Sequence, residues 1–422
     1  MFQAPRGTAD ILPEEQGYWR FCRSKARETA TSFGYRRIDT PLFEDARLFV
    51  RGVGEVTDIV EKETYTFEDR GGDLLTLRPE GTAPVCRAYL EHGMSNLPQP
   101  VRLYYVCPAF RYERPQSGRS RQHHQFGIEV LGDGDAIIDA EVIEVAWRFL
   151  GSVGLSDLEL SINSIGDGEC RPQYIRTLQD HYRQHSGILC HDCTRRLEHN
   201  PLRLLDCKVD SCQPVIGGAP HSVDYLCDAC DAHWSSLRGH LFALGLPYAV
   251  NHRLVRGFDY YTRTVFEVTP PVEGSQTTIV GGGRYDGLIE ELGGKPTPGI
   301  GFGMGIDRVI LNLKRQEVAP PEYRDTKVLV AHVGEAAKGE AVKLASKLRQ
   351  AGTAALVGPA ERGLRSQLRY ASAIDATHAV IIGDDELAKG VVVLRDLSKS
   401  AQHEVEPDRL VQELQSAGGN GC

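Results

Sequence analysis

The stretch that most narrows the fold is residues 101–132. Two runs, VRLYYVCPAFRYE and HHQFGIEVLG, read as strands, and between them lies only RPQSGRSRQ, a polar turn rich in arginine. A chain with this unit builds at least part of its fold on a sheet. Its charge is the unusual part: Arg111, Arg114, Arg119 and Arg121, with Glu113 and Glu129, fall within the two strands and their turn. Arginines at alternating strand positions share one face, and that many charges on a sheet need an anionic partner or open water. A guanidinium fork keeps its charge and matches phosphate oxygens, so a polyphosphate clamp is one reading and a solvated charged hairpin the other.

At 422 residues the chain exceeds what one hydrophobic core supports, and two or three domains are expected. PEEQGYWRFCRSKARETATSFG reads as an amphipathic helix, with Pro13 near its start and Gly34 past its end, and DAIIDAEVIEVAWRFLGSVG reads as a second helix. From about residue 168 the chain becomes rich in His and Cys, and the strand pattern resumes at YAVNHRLVRGFDYYTRTVFEVT. An insertion is the simplest account. The expected division is 1–167 and 249–320 for one domain, interrupted by a Cys-rich insertion at 168–248, followed by a separate domain at 326–422 after the proline-bearing linker EVAPPEYRDT. In that last part, strands such as KVLVAHV and HAVIIG alternate with helices, ending on the strand GVVVLRDL and a closing helix. This indicates a small α/β domain with a mostly parallel sheet.

The formal net charge is -9, which argues against bulk attraction to nucleic acid; any RNA contact must come from local basic patches. No apolar run approaches the length of a membrane span, and the opening MFQAPRGTADILPEE lacks a basic-then-apolar leader, so the cytoplasm is the expected compartment. Of eleven cysteines, six (Cys190, Cys193, Cys207, Cys212, Cys227, Cys230) lie within 41 residues, a clustering that suggests metal or local redox chemistry more than a disulfide framework.

Three glycine- or tyrosine-marked stretches carry further chemistry. GIGFGMGIDRV places four glycines ahead of Arg308. It lacks the Lys-Ser/Thr pair of a phosphate loop and the glycine spacing of a dinucleotide site, so tight helix-on-sheet packing is the expectation for the glycines. Packing leaves Arg308 unexplained. RGFDYYTRTVFE crowds Arg256, Asp259, Tyr260 and Tyr261 at the mouth of a strand. A fixed guanidinium beside a reacting group needs a carboxylate to orient it, and Asp259 is the candidate near in sequence. Neighbours on a strand point to opposite faces, so one of the two tyrosines is expected to be structural. VGGGRYDGL sets Gly281, Gly282 and Gly283 before Arg284, Tyr285 and Asp286, which suits either backbone beside a ligand or a tight turn.

Taken together these stretches resemble the histidyl-tRNA synthetases nearly end to end. FGYRRIDTP, FRYERPQSGRSRQHHQFGIEV and GIGFGMGIDRV resemble the three motifs of class II aminoacyl-tRNA synthetases, and RGFDYYTRTVFE with GGGRYDGL resembles the pair specific to the histidine enzymes; PRGTADILP and LRPEGT fit as well. The fold implied is α/β (α+β): a class II antiparallel-sheet catalytic domain with a helical insertion, plus a C-terminal mixed-sheet α/β anticodon-binding domain. The activity implied is condensation of ATP, with Mg2+, and L-histidine to histidyl-adenylate, then transfer of the histidyl group to tRNA(His). A homodimer is also implied, since the first motif forms the dimer in this class.

By the same resemblance Arg111 and Arg256 meet the α-phosphate, Glu113 and His123 the adenine, and Arg119 and Arg308 the terminal phosphates. His123 stands where many class II enzymes stack a phenylalanine; an imidazole is also flat. Glu80, Thr82 and Gln125, with Gly81 in the same PEGT loop, belong to the histidine site, as do Glu129, Tyr260, Tyr261, Gly282, Gly283 and Tyr285. A pocket that pairs both imidazole nitrogens rejects apolar amino acids, because its own polar groups would be left unpaired. Gln116 is similar to a residue near the acceptor end of tRNA, and Arg362, Arg365 and Arg369 fall at helical spacing in ERGLRSQLRYA, suiting RNA phosphates or a solvated face.

Two CxxC pairs, Cys190 with Cys193 and Cys227 with Cys230, would complete a tetrahedral structural zinc site, with Cys207 and Cys212 as competitors. Other members carry Asp, Glu or Ser around NPLRLLDCK, which implies an insertion that folds without metal, so zinc is not the favoured expectation. Two rivals to the enzyme reading are a non-catalytic regulatory paralogue of ATP phosphoribosyltransferase and a class II synthetase for another amino acid. Retention of Arg111, Arg256, Arg308 and the C-terminal domain weighs against the first. The RGFDYY and GGGRYDGL pair weighs against the second.

Overall fold

The computed structural model describes residues 2–53, 63–113, 120–271, 278–321, 327–399 and 401–418. It falls into two compact units, Met1–Pro321 and Glu322–Cys422. The first unit holds β1 (Arg36–Arg37), β2 (Phe43–Asp45), β3 (Tyr65–Glu68), β4 (Leu74–Leu77), β5 (Val101–Phe110), β6 (Gln122–Leu131), β7 (Glu159–Ser164), β8 (Ala249–Val250), β9 (Thr262–Thr269), β10 (Val280–Arg284) and β11 (Gly299–Gly305). Eight of them form one sheet in the order β1-β5-β6-β11-β10-β9-β7-β8, while β2, β4 and β3 form a small separate sheet. Only the two edge pairings, β1 with β5 and β7 with β8, are parallel; every inner pairing is antiparallel.

Alternation along the strands decides which face is core. On β6 the even positions Phe126, Ile128 and Val130, and on β11 Ile300, Phe302 and Met304, join one apolar cluster with Trp19 and Ala26 of the helix Gln16–Ser32 and Ile143 and Phe149 of the helix Ala136–Ser152. The odd positions of the same strands, Gln125, Gly127 and Glu129 on β6 and Gly299, Gly301, Gly303 and Gly305 on β11, therefore face the other way. This overturns the expectation that the glycines serve helix-on-sheet packing. They lie on the face opposite the helices Gln16–Ser32 and Ala136–Ser152. The helix Ala136–Ser152 starts where Asp135 accepts a hydrogen bond from the Ile137 N–H at 2.9 Å, a normal N-cap.

Between β7 and β8 come three longer helices, Arg171–Arg183, His191–His199 and Asp228–Ala243, with the short helix Gln213–Gly217 and several single turns between the last two. The first two pack around Tyr174, Leu178, Tyr182, Leu197 and Leu204 with Cys193, Cys207 and Cys212. The third behaves differently, since its Trp234, Leu237 and Leu241 belong to the helix-covered core of the large sheet. It is tied there by a buried charge network. Arg284 and Asp139 are both fully buried: Arg284 donates from Nε to Asp139 Oδ1 at 3.1 Å and from Nη2 to the same oxygen, and Nη1 reaches Asp286 at 2.9 Å. His233 of the third helix hydrogen-bonds Asp139 Oδ2 through Nε2 at 2.8 Å. Burial alone would raise the Asp139 carboxyl; Arg284 and the His233 bond outweigh it and hold it below its usual range.

The second unit holds β12 (Lys327–His332), β13 (Ala354–Val357), β14 (His378–Ile382), β15 (Val392–Asp396) and β16 (Ala401–Val405), in the order β13-β12-β14-β15-β16. The pairings of β12 with β13 and β14 are parallel, those of β14 with β15 and β15 with β16 antiparallel. The sheet is mixed rather than mostly parallel, because a hairpin strand, Ala401–Val405, precedes the closing helix Leu410–Gly418. The segment AQHEV is polar and exposed except at Val405, so it carries little of the apolar signal of a strand. Arg365 and Arg369 lie exposed on the helix Leu364–Ala373, but Arg362 sits in the turn before it and is not part of that helical face. Among the described residues no helix is long and apolar enough to cross a membrane.

Removing the cation from the Asp139 network leaves a buried carboxylate without its partner. Arg284→Met is expected to cost about 3–5 kcal/mol, read by urea or thermal unfolding of the purified chain. A loss within 1 kcal/mol would show that the network does not hold the third helix to the sheet.

Candidate active site

The face of the large sheet opposite the helices Gln16–Ser32 and Ala136–Ser152 is floored by backbone. A Cβ at Gly301 would lie 2.0 Å from Glu129 Oε2, one at Gly303 2.0 Å from Gln125 Nε2, and one at Gly281 1.9 Å from Arg256 Nη2. Each of these glycines clears the space into which a functional side chain lies flat across the neighbouring strand. Gly127 and Gly81 do the same for the Tyr105 ring, at 2.3 Å each. The registers β10 with β11 and β11 with β6 set Gly281, Gly303 and Gly127 side by side.

Glu129 sits fully buried at the centre of this floor. It accepts from Thr82 Oγ1 at 2.7 Å, from the Tyr105 hydroxyl at 3.1 Å and from the Tyr285 hydroxyl at 2.5 Å. Burial pushes its carboxyl up to about 8, against the pull of those hydroxyls, with Glu80 adding to the rise. Glu80 is also buried, and its oxygens accept from the backbone N–H of Thr82 at 2.5 Å and of Ala83 at 2.9 Å, capping the helix Thr82–Glu91. Burial raises this carboxyl as well. Tyr260 and Tyr261 pack with ring centroids 4.7 Å apart, and Tyr260 stands edge-on to Tyr285 at 5.7 Å. They precede β9 and sit in a turn, so both rings stay on the same side, in place of the divergence expected on a strand.

The arginines border this pocket. Arg256 pairs with Glu267 of β9 through Nη1, while its Nε is buried without a hydrogen-bond partner. The orienting carboxylate is thus Glu267; Asp259 points elsewhere and accepts from Asn200 Nδ2 at 2.6 Å. Thr278 donates to the other oxygen of Glu267 at 3.2 Å, and the Thr278 carbonyl accepts from Arg308 Nη1 at 2.5 Å. Arg256 and Arg308, far apart in sequence, are therefore linked through two residues. Arg111 donates from Nε to the Pro79 carbonyl at 2.9 Å and lies 5.7 Å over the Phe258 ring. His123, on β6 opposite Ala109, is pushed down to about 3 by burial, with Arg111 and Arg308 adding to the shift, so its ring is neutral and flat. The Oε1 of Gln125 is a second buried polar atom without a partner.

A floor cleared by glycine, a proton-holding carboxyl and cations gathered beside it form a site for a polar, anionic ligand. A sequence description of histidyl-tRNA synthetase matches residues 7–166 and 218–309. The chain belongs to the histidyl-tRNA synthetase family. A second description, of the anticodon-binding domain, matches residues 327–417. The histidine–tRNA ligase of Dehalococcoides mccartyi is 57% identical over 414 residues, covering 98% of this chain and 99% of that protein. That of Desulforamulus reducens is 49% identical over 407 residues, covering 96% and 97%. The crystal structure of apo S. aureus histidyl-tRNA synthetase superposes with a TM-score of 0.83 at 36% identity, covering 98% of this chain and 100% of that one. Family membership makes the chain an aminoacyl-tRNA synthetase, a ligase that joins histidine to tRNA.

Within this synthetase the structure brings Glu80, Thr82, Gln125, Glu129, Tyr260, Tyr261 and Tyr285 to one face, with Arg111, His123, Arg256 and Arg308 on its border. Gly282 and Gly283 differ from Gly281: a Cβ at Gly282 would meet the Gly301 carbonyl at 2.4 Å and one at Gly283 the Thr264 carbonyl at 2.5 Å, so both close the strands on each other. Glu113 lies just beyond the end of β5, its N–H bonded to the Arg111 carbonyl at 2.8 Å. Gln116 and Arg119 fall outside the described residues. Cys190, Cys193, Cys227 and Cys230 are not brought together; the two CxxC pairs go to different clusters. The residues that sequence reading missed are Tyr105 and Glu267. Glu267 closes the same RGFDYYTRTVFE stretch, and strand alternation from Val265 is the signal that would have found it.

A carboxyl held up to about 8 when folded and at the model-compound 4.5 when unfolded binds its proton more tightly in the folded chain. Its contribution is fully present below about pH 4.5 and is lost as pH rises through about 8. Glu129→Gln should therefore lose less stability than the parent between pH 6 and pH 9, followed as thermal midpoint against pH. Parallel curves for the two proteins would sink the claim that Glu129 is a buried neutral acid.

Proposed function

We propose that this chain condenses L-histidine with ATP to histidyl-adenylate and then passes the histidyl group to the terminal ribose of tRNA(His). The observation that carries the reading is the hydrogen-bonded run Arg256–Glu267–Thr278–Arg308, which fixes two permanent cations beside the Glu129 pocket. In the first step a histidine carboxylate oxygen attacks the α-phosphorus, and the bond to pyrophosphate breaks. Charge grows on the phosphoryl oxygens, and preoriented donors there lower the barrier. Arg256 is the donor assigned to the α-phosphate, held by Glu267 in one orientation; its unpartnered Nε fits an incoming anion. Arg111 shares that phosphate, while Arg119 and Arg308 hold the terminal phosphates. Mg2+, when bound with ATP, neutralises part of the phosphate charge.

The neutral ring of His123 and the Glu113 side chain serve the adenine. Histidine is read by Glu129: an imidazole brought to it supplies a donor that the three hydroxyls have oriented the carboxyl to meet, and an apolar side chain supplies none. Tyr285 and one or both of Tyr260 and Tyr261 complete the ring's surroundings. Gln125, Glu80 and Thr82 fix the α-amino end, Gly81 the loop that carries them, and Gly282 and Gly283 the backbone of the pocket wall. The reading further assigns residues 1–167 and 249–320 to catalysis, 168–248 to the insertion and 326–422 to the anticodon, with Gln116 toward the acceptor end and Arg365, Arg369 and Arg362 toward RNA phosphates. It places the enzyme in the cytoplasm as a homodimer.

Purified protein should exchange labelled pyrophosphate into ATP only when histidine is added. Arg256→Ala should lower that exchange on the order of 10²–10³-fold while histidine binding by calorimetry stays measurable. Adenylation at the parent rate would remove the role given to Arg256, and absence of exchange in the parent, with stimulation of an added phosphoribosyltransferase, would replace the enzyme by a regulatory subunit.

A further inference from the structure

Ten cysteines lie among the described residues, all as free thiols, and eight ligand-type side chains in this region gather in two groups of four. Cys190, Cys193, Cys207 and Cys212 form one; Asp167, Cys170, Cys227 and Cys230 form the other; within each, the ligand atoms all lie within 4.8 Å of one another. A tetrahedron with zinc–sulfur bonds of ~2.3 Å has sulfur–sulfur edges of about 3.8 Å. The Cys190 and Cys207 sulfurs are 3.9 Å apart, and Cys170 Sγ is 3.7 Å from Asp167 Oδ1. The sulfurs converge on two centres instead of pairing off at bonding distance.

The two groups are built the same way. Each CxxC opens a helix, with Cys190 before His191–His199 and Cys227 before Asp228–Ala243, and the two N-cap cysteines share one backbone conformation, φ -68° and ψ 162° against φ -71° and ψ 164°. The second cysteine of each pair, Cys193 or Cys230, is in the first turn and buried. Backbone N–H groups point at the partner sulfurs: Cys190 N–H to Cys212 Sγ at 3.3 Å, Val209 N–H to Cys207 Sγ at 3.4 Å, and Asp167 N–H to Cys170 Sγ at 3.4 Å. Such donors stabilise thiolate ligands and orient them around an ion. In the second group the carboxylate is oriented too: Asp167 turns Oδ1 toward the sulfurs and receives Arg263 on Oδ2 at 3.1 Å. Gly166 permits the close approach, since a Cβ there would lie 2.6 Å from Cys170 Sγ.

We propose that the chain carries two structural zinc sites, a four-thiolate site at Cys190, Cys193, Cys207 and Cys212 and a three-thiolate, one-carboxylate site at Asp167, Cys170, Cys227 and Cys230. The family description leaves out residues 167–217, which contain six of these eight ligands, so nothing in the family match assigns them. The first site closes the insertion on itself. The second joins the point where the chain leaves β7 to the start of the helix Asp228–Ala243, clipping the beginning of the insertion to its last long helix. It lies beside the histidine pocket, because Arg171, next to Cys170, donates to the Tyr261 carbonyl at 2.7 Å, and Ile165 N–H bonds the Arg263 carbonyl at 2.8 Å. Soft thiolates at tetrahedral spacing select zinc over Mg2+ or Ca2+.

The test is metal analysis of the full-length protein purified without chelator, with no activity measurement involved. About two zinc ions per chain are expected, as the ligand count of two complete tetrahedra requires. Cys190→Ser with Cys193→Ser, and separately Cys227→Ser with Cys230→Ser, should each lower the count by one. Co2+ added to zinc-stripped parent should give thiolate-to-cobalt charge-transfer absorption, stronger at the four-thiolate site than at the other, which keeps the proposal testable if either variant fails to fold. A parent holding one zinc or none, lack of those bands, or recovery of the cysteines as disulfides from protein kept under reductant would overturn it.

Discussion

The period-two alternation of the central strands is what the rest of the structure depends on. Phe126, Ile128 and Val130 on β6, with Ile300, Phe302 and Met304 on β11, commit one face to the helices. Glycine then occupies the alternate positions of β11 and part of β10, leaving the opposite face without side-chain height. A one-residue slip in either strand would move the apolar set into the pocket and the glycines into the core, so the register and the site are specified together. Glu129, Gln125 and Arg256 lie low over this floor because no Cβ stands in their way.

That arrangement also explains the electrostatics. A buried carboxyl keeps its proton unless a cation compensates, and among the described residues Glu129 pairs with hydroxyls and not with a cation. Asp139 is the contrast within the same domain. It is equally buried, yet Arg284 and His233 hold it charged. One acid is left poised for a ligand, and the other locks the helix Asp228–Ala243 to the sheet. The difference lies in the partner and not in burial.

Much of this was legible beforehand, for reasons that differ by residue. The hairpin, the long helices and the C-terminal alternation are local patterns, and a pattern of spacing survives without knowledge of contacts. Arg111, Arg256 and Arg308 could be singled out by their place in motifs that resemble the family's; a guanidinium alone does not announce its role, since Arg284 is an equally permanent cation and serves the core. The glycines of GIGFGMG were misread because spacing shows that backbone comes close to something but not on which face. The partner of Arg256 was misassigned because Asp259 is nearer in the chain, while Glu267 is nearer in space only after the turn at Tyr260 and Tyr261 brings β9 back beside it. The polar strand Ala401–Val405 gave almost no apolar signal. Its pairing with β15 is a tertiary fact.

The cysteines show the same limit from the opposite side. Two CxxC pairs suggest one four-cysteine site by analogy with their spacing, yet each pair opens its own helix and finds its other two ligands elsewhere in the chain. The missing ligand of the second group is an aspartate just past β7, a residue type that sequence reading discounts beside so many thiols. What brings Asp167 in is the strand end at Ser164, the turn at Gly166 and the Arg263 guanidinium across the sheet, none of which has a local signature. Spacing names which residues form knuckles. Only the topology of the sheet decides which knuckles share a centre, and here it puts one centre inside the insertion and the other at its root, against the strand that carries the histidine motif.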